Sequence, residues 1–242
     1  MKQSHIHSPW ASLRGIEPAS FCDWPGKVSL VFFLGGCNLR CPTCHNHTLA
    51  WYPDSLSPVA REDALALVDK RLPWLDGLVV TGGEPTFCPG LAEWLVELKT
   101  FGLPVKVDTN GLEPGVVEAL VSGGAADMVA VDVKGPWDKY PQLTGGRCSP
   151  GRARDSLEAI FSLARVWPER FYFRCTKVPL LHDQDLDSVR ECLPAGQALA
   201  VQSYVAPGDA SQKACNPQSD QNNGVHNRLE PKNQDGAYGV QA

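Results

Sequence analysis

Three cysteines lie close together in the chain, at Cys37, Cys41 and Cys44, and His45 follows directly. Thiolates at this spacing bind metals, and two interpretations compete. A tetrahedral zinc ion could take the three thiolates and His45 as ligands. Alternatively, the three thiolates could hold a four-iron cluster and leave one iron open to a small molecule. The cluster is favoured, because a cysteine and the histidine next to it rarely bind one ion together.

The other six of the nine cysteines are scattered singly along the chain. In a reducing compartment they are not expected to form structural disulfides. Their expected role is that of small buried or half-buried apolar residues. They are Cys22, Cys88, Cys148, Cys175, Cys192 and Cys215.

Short β-branched runs alternate with amphipathic helical patterns between residues 27 and 206. The runs predict six strands, over residues 28–34, 77–81, 103–108, 127–133, 171–178 and 199–205. Helices are predicted over residues 60–72, 91–98, 114–122, 152–166 and 183–192. Six strands separated by helices indicate a parallel α/β domain whose strands are buried on both faces. An open doubly wound sheet and a partial or full barrel both fit this pattern.

Polar and glycine-rich segments follow or close four of these predicted strands. They are Gly35-Gly36-Cys37, Gly82-Gly83-Glu84, Asp108-Thr109-Asn110-Gly111 and Asp132-Val133-Lys134. In parallel α/β domains, ligands bind beyond the carboxyl ends of the strands. The four segments therefore predict a single ligand site, which includes the cysteine cluster.

Composition and charge narrow the possible partners. The chain has 242 residues and a net charge of -5, which argues against a nucleic-acid partner bound through a basic surface. No run approaches the roughly 20 apolar residues of a membrane span, and residues 1–7 contain no secretory signal. We therefore expect a cytoplasmic protein with neither a membrane nor a nucleic-acid partner. The segment from Gly208 onward is rich in Asn, Gln, Asp and Gly and is expected to be disordered.

The cysteine loop resembles that of the radical S-adenosylmethionine (radical SAM) superfamily. Residues 23–26 (Asp-Trp-Pro-Gly) and residues 36–46, which contain the loop, are similar to the glycyl-radical-enzyme activases within it. Further segments match in the same order, at residues 81–86, 108–111, 131–134 and 174–179. The resemblance divides the chain into an N-terminal extension (1–14), a radical SAM core (15–208) and a polar tail (209–242). The implied fold is a partial (β/α)6 barrel of the TIM type.

The resemblance implies a cofactor pair. Cys37, Cys41 and Cys44 would bind three irons of a [4Fe-4S] cluster, and SAM would chelate the fourth. Reduction of the cluster would cleave SAM to methionine and a 5′-deoxyadenosyl radical, which would abstract hydrogen from a glycine Cα of a partner enzyme. The cofactors would carry this chemistry while the protein positions them and excludes water.

Two partner proteins are implied as well. The first is a glycyl-radical enzyme, specifically the anaerobic ribonucleoside-triphosphate reductase, because the chain is particularly similar to the longer forms of that enzyme's activating protein. The second is a reduced flavodoxin- or ferredoxin-type electron donor.

Roles for the strand-end residues follow from the same resemblance. Gly82, Gly83 and Glu84 match the segment that meets the SAM ammonium group, although a tight turn would need similar residues. Asp108 and Thr109 match positions near the SAM ribose and carboxylate, with an Asx-type turn as the alternative.

Three further polar residues are expected at the site. Asp132 and Lys134 alternate along a strand, so both point to one face and would contact SAM, although a structural ion pair is the alternative. No catalytic side chain beyond the cluster and SAM is predicted, except that Lys134 and Arg174 are secondary candidates. Thr43 departs from the family pattern, which has an aromatic residue there for adenine binding.

Three functions remain open from the sequence. The first is an activase that acts on another protein. The second is a radical SAM enzyme that acts on a small molecule, similar to the deazaguanine-forming enzymes. The third, a non-catalytic zinc or iron–sulfur module, is disfavoured because a structural site would need only its ligands.

Overall fold

A computed structural model describes residues 8–206 of the protein. One seven-stranded sheet forms the framework, and its strands follow one another in space in the same order as in the chain. They are β1 (Leu13–Ser20), β2 (Ser29–Leu34), β3 (Gly77–Gly82), β4 (Val105–Thr109), β5 (Met128–Asp132), β6 (Phe171–Lys177) and β7 (Leu199–Ser203). Six of the seven match the predicted strands.

The strand order decides between the two predicted architectures. Strands β2 to β7 are parallel to their neighbours. A doubly wound sheet requires the order to reverse at one point, and no reversal occurs in the described sheet. Right-handed crossovers in one direction place the helices on one face and curve the sheet around the other. The sheet remains open, since β1 and β7 are its two edges, and the expected partial barrel of six parallel strands is confirmed.

Strand β1 was not predicted. It runs antiparallel to β2 along the edge of the sheet, with irregular register at both ends. Pro18 and Gly15 within it obscure the strand pattern, and proline is tolerated because an edge strand leaves some backbone N–H groups without ladder partners. The expected boundary between the N-terminal extension (1–14) and the core (15–208) therefore falls inside β1.

Eight helices precede or connect the strands within the described residues. They are α1 (Pro9–Ser12), α2 (His47–Trp51), α3 (Arg61–Arg71), α4 (Leu91–Lys99), α5 (Pro114–Ser122), α6 (Tyr140–Leu143), α7 (Pro150–Val166) and α8 (Asp183–Cys192). The five predicted helices are all present, and the short α1, α2 and α6 are additional. Helix α7 begins where Ser149 accepts a hydrogen bond from the Arg152 amide and Pro150 fills the first position.

Apolar residues pack on both faces of the sheet. On the convex face, Phe32 of β2 contacts Trp94 of α4 with an edge-to-face ring geometry. On the concave face, Trp24 packs against Val31 and Val79. Trp24 belongs to the loop between β1 and β2, so it enters the barrel from the amino-terminal ends of the parallel strands and forms its floor.

The scattered cysteines differ from one another. Cys88, Cys148 and Cys175 are buried, as expected. The expectation is wrong for Cys192, which is exposed, and for Cys22, which is disulfide-bonded. Cys215 and the expected disordered tail (209–242) lie outside the described residues. Within residues 8–206, no helix is both long enough and apolar enough to cross a membrane.

The ring of Trp24, which forms the floor of the barrel, leaves no room for a side chain at Gly77. A Cβ added there would lie 2.7 Å from the Trp24 ring. We expect Gly77→Ala to lower the free energy of unfolding by about 2 kcal/mol, since overpacking a core costs about 1–3 kcal/mol. Urea denaturation measures the change. Gly115→Ala is the matched control, because nothing lies within 4 Å of the added carbon and alanine favours the helix. Equal stability of the two variants would contradict this account of the floor.

Candidate active site

One cavity of about 250 Å³ lies at the carboxyl ends of the parallel strands. Every residue that the sequence predicted for the site lines it. These residues are Cys37, Cys41, Cys44, Gly82, Gly83, Glu84, Asp108, Thr109, Asp132, Lys134 and Arg174. They come from five separate segments, and the parallel order of the strands brings them together.

The cysteine loop is held on one side by the end of β3. The Gly83 amide donates to the Leu34 carbonyl at 2.8 Å, and the Glu84 amide donates to the Gly36 carbonyl at 2.8 Å. A Cβ on Gly83 would lie 1.9 Å from the Gly36 oxygen. Gly82 has a φ of +127°, which disfavours other residues. These glycines are thus required for a close approach between two strand ends, next to Cys37.

The other side of the cysteine loop rests on the segment after α6. The Arg40 amide donates to the Thr144 carbonyl at 3.1 Å, and a Cβ on Gly145 would lie 2.1 Å from the Arg40 oxygen. The Arg40 guanidinium donates to the carbonyls of Cys37 and Leu39, both at 2.7 Å. The loop between the first two cysteines is therefore held by backbone contacts and by its own arginine.

The three thiols sit in a partly desolvated loop. Burial raises the pKa of Cys37 to about 12 and raises the pKa values of Cys41 and Cys44. The Leu39 amide donates to the Cys37 sulfur at 3.3 Å, and such bonds favour a thiolate. Without a metal, the thiols are protonated, so metal binding must release their protons.

The donor set of three thiolates suits an iron–sulfur cluster, since soft sulfur ligands bind such clusters. Among residues 8–206, no three His, Cys, Asp or Glu side chains converge on a position for one ion. This arrangement does not conflict with a four-iron cluster, because each thiolate there binds a different iron. A zinc ion would need all its ligands around one point.

Glu84 joins two of the strand-end loops. Its Oε1 atom accepts hydrogen bonds from the Thr86 amide, the Thr86 hydroxyl and the Thr109 hydroxyl, at 3.1, 2.6 and 2.7 Å. Its Oε2 atom accepts from the Asn110 amide at 2.7 Å. Burial raises the pKa of Glu84 although these bonds oppose the shift. Glu84 therefore ties the segment after β3 to the segment after β4.

Asp108 lies within a buried set of charges. Arg174 Nη1 lies 3.2 Å from its Oδ2 atom, and the Lys106 ammonium donates to its Oδ1 atom. Burial alone would raise the pKa of Asp108, but Arg174 and Lys106 together lower it. Asp108 is thus an ionised carboxylate beside the cavity.

Asp132 and Lys134 form a second pair, with 2.5 Å between Lys134 Nζ and Asp132 Oδ2. Burial would raise the pKa of Asp132, but Lys134 and Arg174 lower it. Two buried polar atoms here, Asp132 Oδ1 and Arg174 Nε, have no hydrogen-bond partner within the described part of the protein. Buried polar atoms are rarely left unpaired. A bound ligand with a hydroxyl or ammonium donor and an anionic acceptor would satisfy these two atoms.

Sequence reasoning missed several residues of the site. Lys106 could have been found, because it alternates with Asp108 along β4 and so shares its face. Trp51 also lines the cavity, but it follows no predicted strand and no pattern indicated it. Tyr204 stacks on His45 with 5.5 Å between ring centroids. Asn46 was not missed, since it belongs to the segment 36–46 that resembles the activases; its side chain donates to the Gly82 carbonyl at 3.4 Å and shapes the end of the cysteine loop.

The family model described as "Radical SAM superfamily" matches residues 31–192 of the chain. A protein of Methanocaldococcus jannaschii, provisionally named a glycyl-radical enzyme activating enzyme, is 32% identical over 202 residues, covering 83% of this chain and 82% of the relative. The pyruvate formate-lyase-activating enzyme of Clostridium pasteurianum is 29% identical over 196 residues, covering 76% of this chain and 72% of the relative.

Two other similarities are more limited. The 7-carboxy-7-deazaguanine synthase of Hyperthermus butylicus is 36% identical over 106 residues, covering 43% of this chain and 42% of the relative. The crystal structure of Streptococcus suis SuiB superimposes with a TM-score of 0.54 at 16% identity, covering 72% of this chain and 39% of that chain. At this identity, the SuiB match supports the fold alone.

The four hydrogen bonds to Glu84 predict the effect of removing its charge. Glu84→Gln replaces one acceptor oxygen with a donor nitrogen, so at least one buried donor loses its partner. We expect the free energy of unfolding to fall by about 1–3 kcal/mol, the usual cost of an unsatisfied buried group. Urea denaturation tests this, with the exposed Glu118→Gln of α5 as the control. If both variants lose the same stability, Glu84 does not join the loops as described.

Proposed function

The chain belongs to the radical SAM superfamily, and from this premise we propose that it activates a glycyl-radical enzyme. The observation that carries the proposal is the similarity to activating enzymes over most of both chains. The agreement of the motifs after successive strands, all around one cavity, supports it. The same proposal places the protein in the cytoplasm.

The superfamily uses a [4Fe-4S] cluster and SAM, and these cofactors, when bound, supply a carbon radical that can remove a hydrogen atom from a glycine Cα. We assign cluster binding to Cys37, Cys41 and Cys44. Backbone contacts on both sides hold their loop, so the three thiols are organised before a cluster arrives. Such preorganisation lowers the cost of binding.

The SAM-binding residues follow from the charges that face the cavity. Lys134 and Arg174 are cations that suit the SAM carboxylate, and Arg174 Nε is a donor without a partner among residues 8–206. Asp132 Oδ1, which accepts no hydrogen bond from residues 8–206, suits a ribose hydroxyl or the ammonium group. Thr43 lacks the planar surface that an adenine ring requires, and we assign this contact to Trp51, which lines the same cavity.

Gly82, Gly83 and Glu84 have a proposed structural role in addition to the SAM contact that their family match implied. Both glycines face the backbone of the cysteine loop, and the Glu84 carboxylate accepts four hydrogen bonds from its own protein. We propose that this segment holds the cysteine loop in place and presents backbone groups to the SAM ammonium.

We propose the anaerobic ribonucleoside-triphosphate reductase as the specific partner. The support is the resemblance of the chain over residues 15–208, taken as a whole, to the longer forms of the activating protein of that reductase. A reduced flavodoxin- or ferredoxin-type protein would supply the electron. The alternative, a small-molecule enzyme like the deazaguanine synthases, matches less than half of this chain and so has weaker support.

Serine substitutions test the proposed cluster ligands. We expect Cys37→Ser, Cys41→Ser and Cys44→Ser each to lose the four-iron electron paramagnetic resonance signal of the anaerobically reconstituted, reduced protein, because serine is a poor ligand for iron–sulfur clusters. Cleavage of SAM should fall to background in each. Cys192→Ser, which changes an exposed thiol, should keep both the signal and the cleavage. A zinc-containing protein with no iron would contradict the assignment.

Radical transfer tests the partner. The reconstituted protein, SAM and a reductant are incubated with purified anaerobic ribonucleoside-triphosphate reductase or with pyruvate formate-lyase. We expect a glycyl-radical signal on the reductase alone, and deuterium in 5′-deoxyadenosine when the reductase carries deuterated glycine. A reductase with the radical glycine replaced by alanine is the control.

Each other outcome of this transfer experiment has a distinct meaning. A signal on the lyase instead would overturn the reductase assignment and retain the activase. Absence of a radical on either enzyme, together with turnover of a deazaguanine precursor, would overturn the activase itself.

A further inference from the structure

A buried lysine inside the barrel has no role in the proposed function. Lys106 of β4 has a side chain that is only 1% exposed. Burial of a lysine is costly unless the ammonium group is paired and hydrogen-bonded. Lys106 Nζ has two partners, the Asp108 carboxylate and the Asp23 carbonyl oxygen, the second at 2.7 Å. Burial lowers the pKa of Lys106, and the Asp108 carboxylate opposes this shift.

One of these partners belongs to the barrel floor, which we define as residues 23–26 (Asp-Trp-Pro-Gly). The Ser20 hydroxyl donates to the Asp23 carboxylate at 2.5 Å. Trp24 packs on the concave face, and Lys27 Nζ lies 5.4 Å from its ring centroid. The floor is therefore anchored on both sides, and its Asp23 carbonyl faces Lys106.

The other partner belongs to the cavity. Asp108 and Arg174 line it, and Lys106 lies beneath them toward the floor. The charges alternate from the floor upward, with Lys106 followed by Asp108 and then by Arg174, which pairs with the second carboxylate oxygen of Asp108. Arg174 is also the register partner of Asp132. A rotation of the Asp108 carboxylate would therefore disturb both of its cations.

We propose that Lys106 is a positioning residue, which fixes the Asp108 carboxylate for SAM from the floor of the barrel. This inference rests on the proposed function only in that the cavity binds SAM with Asp108 near its ribose and carboxylate, as the family resemblance implies; Asp108 lines that cavity. Lys106 holds one oxygen of Asp108 and leaves the other to Arg174, so the carboxylate has one orientation. The Asp23 carbonyl in turn holds Lys106, which gives residues 23–26 a role in the site although they lie at the far end of the barrel.

Lys106→Met tests the proposal, with Lys99→Met as a matched control. Lys99 makes the same kind of bridge, from its Nζ to a carboxylate (Asp127, 2.7 Å) and to a backbone carbonyl (Gly124, 2.9 Å), but away from the cavity. Both variants are reconstituted with iron and sulfide under anaerobic conditions, and the Kd for SAM is measured by isothermal titration calorimetry. We expect Lys106→Met to weaken SAM binding about tenfold, a change typical of coupled neighbouring charges. The control should change the Kd by less than about twofold, since distant sites act independently.

A double-mutant cycle separates positioning from a general effect on folding. If Lys106 acts through Asp108, then Lys106→Met in an Asp108→Asn background should leave the Kd for SAM unchanged. If the effects of Lys106→Met and Asp108→Asn on the free energy of SAM binding add in full, the proposal is overturned. A folded Lys106→Met protein that binds SAM with wild-type affinity would also overturn it. If Lys106→Met alone fails to fold, the double variant is used, because it replaces a buried ion pair with neutral groups. The Kd for SAM of the double variant is then compared with that of Asp108→Asn, and equal values support the proposal.

Different results would contradict the radical-transfer activity and the role of Lys106. If the wild-type protein binds SAM but transfers no radical to a glycyl-radical enzyme, the proposed function is contradicted. The double-mutant cycle then still tests the role of Lys106. Wild-type protein that holds the cluster but does not bind SAM would contradict both.

Discussion

Buried carboxylates at the carboxyl end of the barrel must be paired, and this requirement organises the structure around them. Glu84 and Asp108 are 3% and 4% exposed, and an unpaired charge at such positions would be very costly. Glu84 is satisfied by donors from the segments after β3 and β4, which it thereby joins. Asp108 is satisfied by Lys106 and Arg174, one from its own strand and one from β6. The pairing of two acids thus links three strands at one end of the barrel.

The second constraint is the close backbone approach between the cysteine loop and the end of β3. Hydrogen bonds from Gly83 and Glu84 extend the ladder between β2 and β3 past the last strand residues, and only glycine leaves room for them. The loop that carries the cysteines is therefore part of the sheet framework. A cluster held there would take its position from the barrel itself, which suits a site that must place two cofactors against each other.

The concave face of the barrel has two layers of different chemistry. The lower layer is apolar and consists of Trp24, Val31 and Val79. The upper layer is ionic, and two of its atoms, on Asp132 and Arg174, have no partner in the described residues. An apolar floor excludes water and so strengthens the electrostatic interactions above it. Lys106 lies where the two layers meet, which explains how a residue outside the cavity can act on it.

The sequence by itself determined the parallel α/β class, most element positions and the residues of the site. Strand runs and helical periods are local patterns, and a parallel sheet brings strand ends together, so Cys37, Glu84 and Asp132 could be placed at one site without coordinates. The local patterns left a doubly wound sheet and a barrel both open, because strand order depends on crossovers between distant segments. The family resemblance implied the partial barrel, and the strand order in the tertiary structure confirmed it. Only the tertiary structure decided that Glu84 bonds to its own protein and that Lys106 reaches the floor. Hydrogen bonding and charge pairing depend on distances in space, and a side chain's partners can lie tens of residues away in the chain, where no local pattern identifies them.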